Sequence, residues 1–428
     1  MRTHIGDLKG QLGQTVIVSG FAQAIRNQGK IAFMRLRDVT GSIQIVILGH
    51  NEVAFNTIKS LSVESVVTIT GLCKEAGQVP EGIEIECETI EVLSAAAPLL
   101  PIPVAIEKGS EDVDVSNRFD WRWLDLRLPE KQQIFKVWTA LETGMRKYFT
   151  QNGFIQLYSP NMMSTASEGG AEFFEVKYFD RKAYLAQSPQ FYKQMAMASG
   201  MEKVFMVGPV FRAEESFTTR HMTEFTGWDA EIAYIESHHD VMDMEEALLI
   251  SAFTEAKNVL PELVIPTSPF PRLVFGEVKR KLAKLGIKSE KEHDLTPEEE
   301  REICKLVKEE TGSDFVFIID YPFQGRAFYH MRHADKNQLT KGFDLLYKGL
   351  EITTGAQREH RLDILEKQAL EKGVDLDSIK DYLNFFRYGC PPHGGIGMGP
   401  GRIVMKILDL DSVKEATFLP RDVKRLRP

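Results

Sequence analysis

Residues 15–93 hold five short segments with the character of β-strands, and a proline-studded stretch follows them directly. The segments are TVIVSGFAQA (15–24), KIAFMRLRD (30–38), SIQIVIL (42–48), VVTITGLC (66–73) and IEIECETIEVL (83–93). Val, Ile and Thr dominate them, several alternate apolar with polar residues, and Gly, Asn or Asp turns separate them. So many short strands in so little chain suit a small barrel or sandwich, with the OB-fold a natural candidate. SAAAPLLPIPVAI (94–106) then places three prolines in thirteen residues. Proline fixes φ and lacks an amide donor, so an extended connector and a domain boundary are expected there. With 428 residues the chain exceeds one ordinary core. The expected division is a barrel over 1–95, a hinge over 96–125 and a second domain over 126–428.

In that second domain, LPEKQQIFKVWTALETGMRKYFTQNG (128–153) has helical periodicity and ends at a glycine. Strand-like and loop segments alternate to about residue 236. HDVMDMEEALLISAFTEAKNVL and TPEEEREICKLVKEETG then suggest a helical insertion at about 240–312, the latter with Thr296-Pro297-Glu298 as N-cap and first turn. Strand signals return in DFVFIIDYP and FDLLYKGLEITTG, before a helix and a glycine-rich segment. The expectation is an α+β domain on a mixed or antiparallel sheet.

Hydrophobic residues make up 43% of the chain and charged residues 26%, a globular balance. Cys73, Cys87, Cys304 and Cys390 are scattered without a CxxC pair. That argues against a zinc knuckle or disulfide framework and suits a reducing, cytoplasmic setting. The opening MRTHIGDLKG lacks the apolar run of a signal sequence, and no stretch approaches a membrane span. A net charge of −9 disfavours nucleic acid on its face, yet a local basic groove can coexist with an acidic remainder.

Four segments carry chemistry. FRAEES…TTRHMTEF gathers Arg212, Glu214, Arg220, His221, Glu224 and Phe225. Such a hairpin can present cations to phosphates, although a solvated hairpin with surface ion pairs is equally open. GGIGMGPGR (394–402) sets five glycines before Arg402. It suggests either close approach of backbone to an anion at a helix start or a plain tight turn. Asp344, Glu351 and Thr354 supply the hard oxygens that Mg²⁺ prefers. QSPQFYKQ (187–194) and SEGGAEFF (167–174) are polar loops beside apolar stretches.

In order and spacing these segments resemble the class II aminoacyl-tRNA synthetases, and within them the aspartate enzymes of archaeal and eukaryotic cytosolic type. The likeness runs over nearly the whole length. NGFIQLYSP (152–160) resembles motif 1, FRAEES…RHMTEF motif 2 and GIGMGPGR motif 3, and the tail FLPRDVKRLRP is similar to the aspartate branch. The resemblance implies an OB-fold anticodon-binding barrel and a class II catalytic domain built on an antiparallel sheet. It implies ATP-dependent activation of L-aspartate, with Mg²⁺, and transfer to tRNA(Asp). Whether tRNA(Asn) is also charged stays open. DNA and membranes are not expected partners.

Carried over residue by residue, the resemblance assigns Arg212 to the α-phosphate and Glu214 to the adenine amino group. Phe225 would stack on adenine, Arg220 would bind ATP, and His221 and Arg402 would lie by the outer phosphates. Glu351 would serve both ATP and metal, with Asp344 and Thr354 completing the Mg²⁺ set. Lys193 and Arg358 would grip the aspartate side chain, braced by Asp229. Ser167, Glu168 and Gln190 would face the α-ammonium, and Thr354 and Arg212 also border the amino acid. Two cations facing a neutral amide would be left uncompensated, which is the expected basis for rejecting asparagine. The asparagine branch lacks the lysine after its SPQ-like motif, whereas this chain has Lys193. Arg26, Phe33 and Gln44 would meet the anticodon, although a core position in the barrel is the alternative for Phe33. Pro160 would lie at a homodimer interface. Thr354 stands where serine is common, and Gly401 stands where the family usually has an acidic residue that orients the arginine. The competing readings are an asparagine–tRNA ligase, an ammonia-dependent ligase working through aspartyl-adenylate, and a catalytically silent tRNA-binding paralogue.

Overall fold

The computed structural model describes residues 1–104, 113–164 and 173–428. All five N-terminal segments form strands: β1 (Thr15–Gln28), β2 (Ile31–Asp38), β3 (Gly41–Leu48), β4 (Val66–Glu75) and β5 (Ile83–Ser94). They close into a barrel in the order β1-β2-β3-β5-β4, with β4 pairing back onto β1. Alternation sorts the faces, as a period of two requires. In β2 the side chains of Ala32, Met34 and Leu36 are buried, whereas Phe33 and Arg35 between them are only partly so. A short helix, α1 (Glu52–Ser60), went unforeseen because nine residues are too few for a clear helical period. Its cap Asn51 accepts from Ala54 N, and Ala54, Phe55 and Ile58 pack into the barrel core.

The chain folds as two compact units, Met1–Leu128 and Pro129–Pro428. Two short helices, α2 (Val115–Asp120) and α3 (Arg122–Asp125), lie in the segment expected as a hinge. Leu124 shares a small core there with Ile102 and Val104.

The second unit runs α4 (Pro129–Gln151), β6 (Ile155–Gln156), β7 (Met162–Met163), β8 (Glu175–Tyr178), β9 (Arg181–Leu185), α5 (Gln190–Ala198), β10 (Lys203–Phe211) and β11 (Glu224–Ala233). After these come α6 (His238–Ala256), β12 (Arg272–Val274), α7 (Phe275–Lys284), α8 (Pro297–Thr311), β13 (Phe315–Ile319), β14 (Gly342–Tyr347) and β15 (Leu350–Gln357). The chain ends through α9 (Leu362–Glu371), α10 (Lys380–Arg387), β16 (His393–Met398) and α11 (Pro400–Ile407). Among the described residues the main sheet has eight strands in the order β12-β13-β14-β15-β16-β11-β10-β6. Its inner pairs are antiparallel and its two outermost pairs parallel.

Helices α4 and α6 pack together and join Phe205, Trp228, Phe317 and Ile396 in the main core. Gly144 permits the contact, since a Cβ there would sit 2.4 Å from Ser251 O. Because α6 belongs to this core and β12 to the sheet, residues 240–312 are not a purely helical insertion. Helix α8 begins as expected, with Thr296 capping and Glu299 completing a capping box. The glycine-rich segment differs from expectation. Residues 393–398 are an inner strand, β16, rather than a loop, and α11 starts only after Gly399.

Candidate active site

A cavity of about 940 Å³ opens on this sheet, walled by β10, β11, β15, β16 and the starts of α5 and α11. Its floor is a buried charge cluster. Lys193, in the first turn of α5, donates from Nζ to Asp229 Oδ1 and to Ile396 O, each at 2.7 Å. The same Nζ lies 3.7 Å from Glu231 Oε2. Arg358 Nε donates to Glu231 Oε1 at 3.0 Å and Nη2 donates to Gly395 O at 2.9 Å. Asp229 and Glu231 alternate on β11 and therefore share a face. Opposite them on β16 stand Gly397 and Gly395. A Cβ at residue 395 would come within 2.1 Å of Glu231 Oε2, so glycine is what leaves room for the carboxylate.

This arrangement corrects the expected basis for rejecting asparagine. Lys193 and Arg358 are each paired with a carboxylate, so the cluster is already neutral. Uncompensated cations at such burial would cost several kcal/mol, roughly, and the fold avoids them. Ammonium and guanidinium only donate, so they match a carboxylate and oppose the NH₂ of an amide. Glu231 was missed from sequence, although a second carboxylate two residues after Asp229 in the buried half of β11 was a usable signal.

The other end of the cavity is built by the β10–β11 hairpin and the start of α11. Arg212 lies 3.8 Å from Glu214, and its guanidinium sits 5.8 Å from the Phe225 ring centroid. Glu224, at the start of β11, also lines the cavity. Arg220 donates to buried Glu300 on α8 at 2.7 Å, and the other Glu300 oxygen accepts from Glu351 N. His221 pairs through Nδ1 with Thr218 Oγ1 at 2.6 Å. Burial, then Arg402 and Arg220, hold the His221 pKa below the usual imidazole value, so it is neutral at pH 7. Arg402 Nη1 donates to Glu351 O at 2.8 Å and lies 3.7 Å from Glu351 Oε1. Arg402, next to Gly401, is thus held by a main-chain carbonyl, with the Glu351 carboxylate nearby.

Asp344 on β14 stands opposite Thr354 on β15, near Glu351. Thr354 Oγ1 donates to Glu351 Oε1 at 3.2 Å, and both residues line the cavity. Asp344 does not line it; both of its oxygens accept from Arg326, at 2.8 and 2.5 Å. Its oxygens are thus engaged in a buried ion pair with Arg326. Among the described residues no cluster of three or more His, Cys, Asp or Glu could hold a metal by itself. Glu351 and Thr354 fit Mg²⁺ as oxygen donors that need substrate phosphates to complete the shell.

Gln190 is buried in the cavity wall. Arg326, Tyr329 and His330 line it too, without having been singled out from sequence. Ser167 and Glu168 lie outside the described residues. Pro160 is exposed, between β6 and β7. On the barrel, Arg26 pairs in register with Phe33, Phe33 with Val46, and Arg35 with Gln44. Phe33 is therefore a partly exposed face residue rather than a core one, beside exposed Arg26 and half-buried Gln44.

Comparison with known proteins agrees with this architecture. Residues 114–423 match the family described as tRNA synthetases class II (D, K and N), and residues 16–93 match the OB-fold nucleic acid binding domain. The chain is 42% identical to the aspartate–tRNA(Asp/Asn) ligase of Aeropyrum pernix, covering 99% of this chain and 98% of that protein. It is 39% identical to the aspartate–tRNA(Asp) ligase of Pyrococcus abyssi over all of both chains. The asparaginyl-tRNA synthetase of Pyrococcus horikoshii, solved with asparaginyl-adenylate, superposes with a TM-score of 0.90 at 31% identity over the whole of each chain. This chain belongs to the class II tRNA synthetases of the D, K and N family.

Proposed function

We propose that this chain is an aspartate–tRNA ligase. The observation that carries the reading is the buried Lys193–Asp229–Glu231–Arg358 cluster beneath a cavity whose far end holds Arg212 and Arg402. The α-carboxylate of aspartate attacks the α-phosphorus of ATP, forming the acyl phosphate bond and breaking the bond to pyrophosphate. The terminal ribose hydroxyl of tRNA then attacks the carbonyl carbon and releases AMP. No side chain need act as nucleophile or base in the first step, because the α-carboxylate is ionised at neutral pH with a reference pKa of about 3.5. Catalysis is positioning and charge stabilisation.

In this reading Lys193 and Arg358 bind the side-chain carboxylate, with Asp229 and Glu231 holding them in place. Gln190 faces the α-ammonium, together with Ser167 and Glu168. Arg212 bridges the α-phosphate and the reacting carboxylate, and Glu214 and Phe225 receive adenine. Arg220, neutral His221 and Arg402 border the outer phosphates. Glu351 and Thr354 would hold Mg²⁺, which when bound neutralises phosphate charge. Arg26, Phe33 and Gln44 read the anticodon from the barrel face, since OB-folds bind single strands by stacking and edge contacts. A homodimer through the segment around Pro160 and a cytoplasmic setting complete the assignment; no described helix is long and apolar enough to cross a membrane.

The likeness to an asparaginyl enzyme favours asparagine as a second reading. The donor-only pair Lys193 and Arg358 opposes it. Aminoacylation with radiolabelled aspartate on separate transcripts of tRNA(Asp) and tRNA(Asn) tests the assignment. Charging of the first alone makes the enzyme discriminating, and charging of both makes it non-discriminating. Charging of neither overturns the assignment.

A further inference from the structure

Gln194 and His393 are fully buried beside the cavity, and neither has a part in the chemistry above. His393 Nδ1 lies 2.8 Å from Pro391 O. A carbonyl only accepts, so Nδ1 carries the proton and Nε2 presents a lone pair. Gln194 Nε2, 3.0 Å from His393 Nε2, is therefore the donor. That turns the oxygen of the Gln194 amide the other way, where it accepts from Gln190 Nε2 at 2.9 Å and from Tyr382 Oη at 3.0 Å. Gln190 thus commits its nitrogen to Gln194, and its oxygen is the end it has to offer a ligand.

The two ends of a glutamine amide have nearly the same shape and opposite polarity. Tyr382 cannot choose between them, because its hydroxyl both donates and accepts. Gln190 and Gln194 could reverse together and keep their mutual bond, and Gln190 would then present NH₂ to the cavity. Only the lone pair of His393 forbids that reversal. We infer that His393, acting through Gln194, fixes the polarity of the Gln190 amide and so positions an acceptor for the substrate's α-ammonium group. The inference rests on the reading above in which Gln190 faces that ammonium. His393 is a positioning residue and touches no substrate.

The test is aspartate-dependent ATP–pyrophosphate exchange by His393→Leu, with succinate as a competitive inhibitor. Succinate keeps both carboxylates of aspartate and lacks only the amino group. His393→Leu should raise the aspartate KM about tenfold, the scale of one lost bond to a charged group. The KM for ATP and the inhibition constant of succinate should each stay within about twofold, because neither ligand carries the ammonium that this one bond serves. An unchanged aspartate KM, or an equal loss for succinate, overturns the inference. Should the leucine variant not fold, ¹⁵N NMR of histidine-labelled wild-type protein decides: His393 must be the neutral Nδ1–H tautomer, and an Nε2–H tautomer overturns the inference. A wild-type protein without aspartate-dependent exchange would instead bring down the underlying reading, and this inference with it.

Discussion

Arg402 and Glu351 meet at one end of the cavity: Arg402 Nη1 is 2.8 Å from the Glu351 carbonyl and 3.7 Å from its carboxylate. Burial, with Arg220 and Arg212 adding repulsion against the pull of Glu351 and Glu300, lowers the Arg402 pKa from its ordinary value. The guanidinium is held by the Glu351 main-chain carbonyl, with the Glu351 carboxylate the nearest acidic group beside it. Gly401→Glu should change the ATP KM less than about threefold, since the orienting group already exists. Its Cβ would also press on Val413 Cγ2 at 3.3 Å. Glu351→Gln should lower kcat/KM for ATP by at least about tenfold, the scale of a charge-assisted contact. Steady-state pyrophosphate exchange checks both.

The engagement of both Asp344 oxygens by Arg326 predicts different metal dependences for Asp344 and Glu351. Glu351→Gln should raise the Mg²⁺ concentration for half-maximal exchange. Asp344→Asn should leave that concentration unchanged and lower Tm, because it strands Arg326 after a buried ion pair is broken, at about 3–5 kcal/mol. A Mg²⁺ titration and a thermal melt of each variant separate the two effects. A shifted Mg²⁺ dependence in Asp344→Asn would restore it as a ligand.

Phe33 and Met34 are neighbours with opposite fates on β2. Phe33→Ala should raise the KM for tRNA by about tenfold, near the 1–3 kcal/mol of one stacked base, with little loss of stability. Met34→Ala should destabilise the barrel by about 2–5 kcal/mol. Aminoacylation kinetics and denaturant melts distinguish face from core.

Glu245 on α6 is fully buried, and its pKa is pushed up to about 8. Burial is the main cause; Thr353 pulls it down, and Glu246 and Asp344 add repulsion. A raised folded-state pKa means that the native state holds a proton the unfolded chain releases. No stability is lost below the unfolded value of about 4.5, and the loss grows as pH rises until it levels off above about 8. Glu245→Gln removes that dependence. The variant should gain stability over wild type between pH 5 and pH 8, by up to about 4 kcal/mol at the upper end. Urea melts across this range provide the check, and a gain that is flat with pH would contradict it.

Strand periodicity made the barrel legible, because β2 and its neighbours alternate over one buried face. Helix α8 was legible through its Thr296 cap. The short α1 was not, since its nine residues carry too few turns to show a period. The glycines of β16 suggested a phosphate loop by composition alone. For Gly395 the cause lies across the sheet, in the space needed by Glu231 and the Ala230 carbonyl, and no local pattern reports a cross-strand neighbour. The same limit hid Arg326, whose pairing with Asp344 joins residues from separate elements. Lys193, Arg358 and Asp229, named through the family resemblance, lie in one cluster, while the charge balance of that cluster needed the fourth member, Glu231.

The most direct measurement is ATP–pyrophosphate exchange by the purified protein with aspartate or asparagine as the sole amino acid. Donor-only recognition by Lys193 and Arg358 predicts rapid exchange with aspartate and a kcat/KM for asparagine lower by at least about a hundredfold. Comparable exchange with both amino acids, or exchange with asparagine alone, would contradict it.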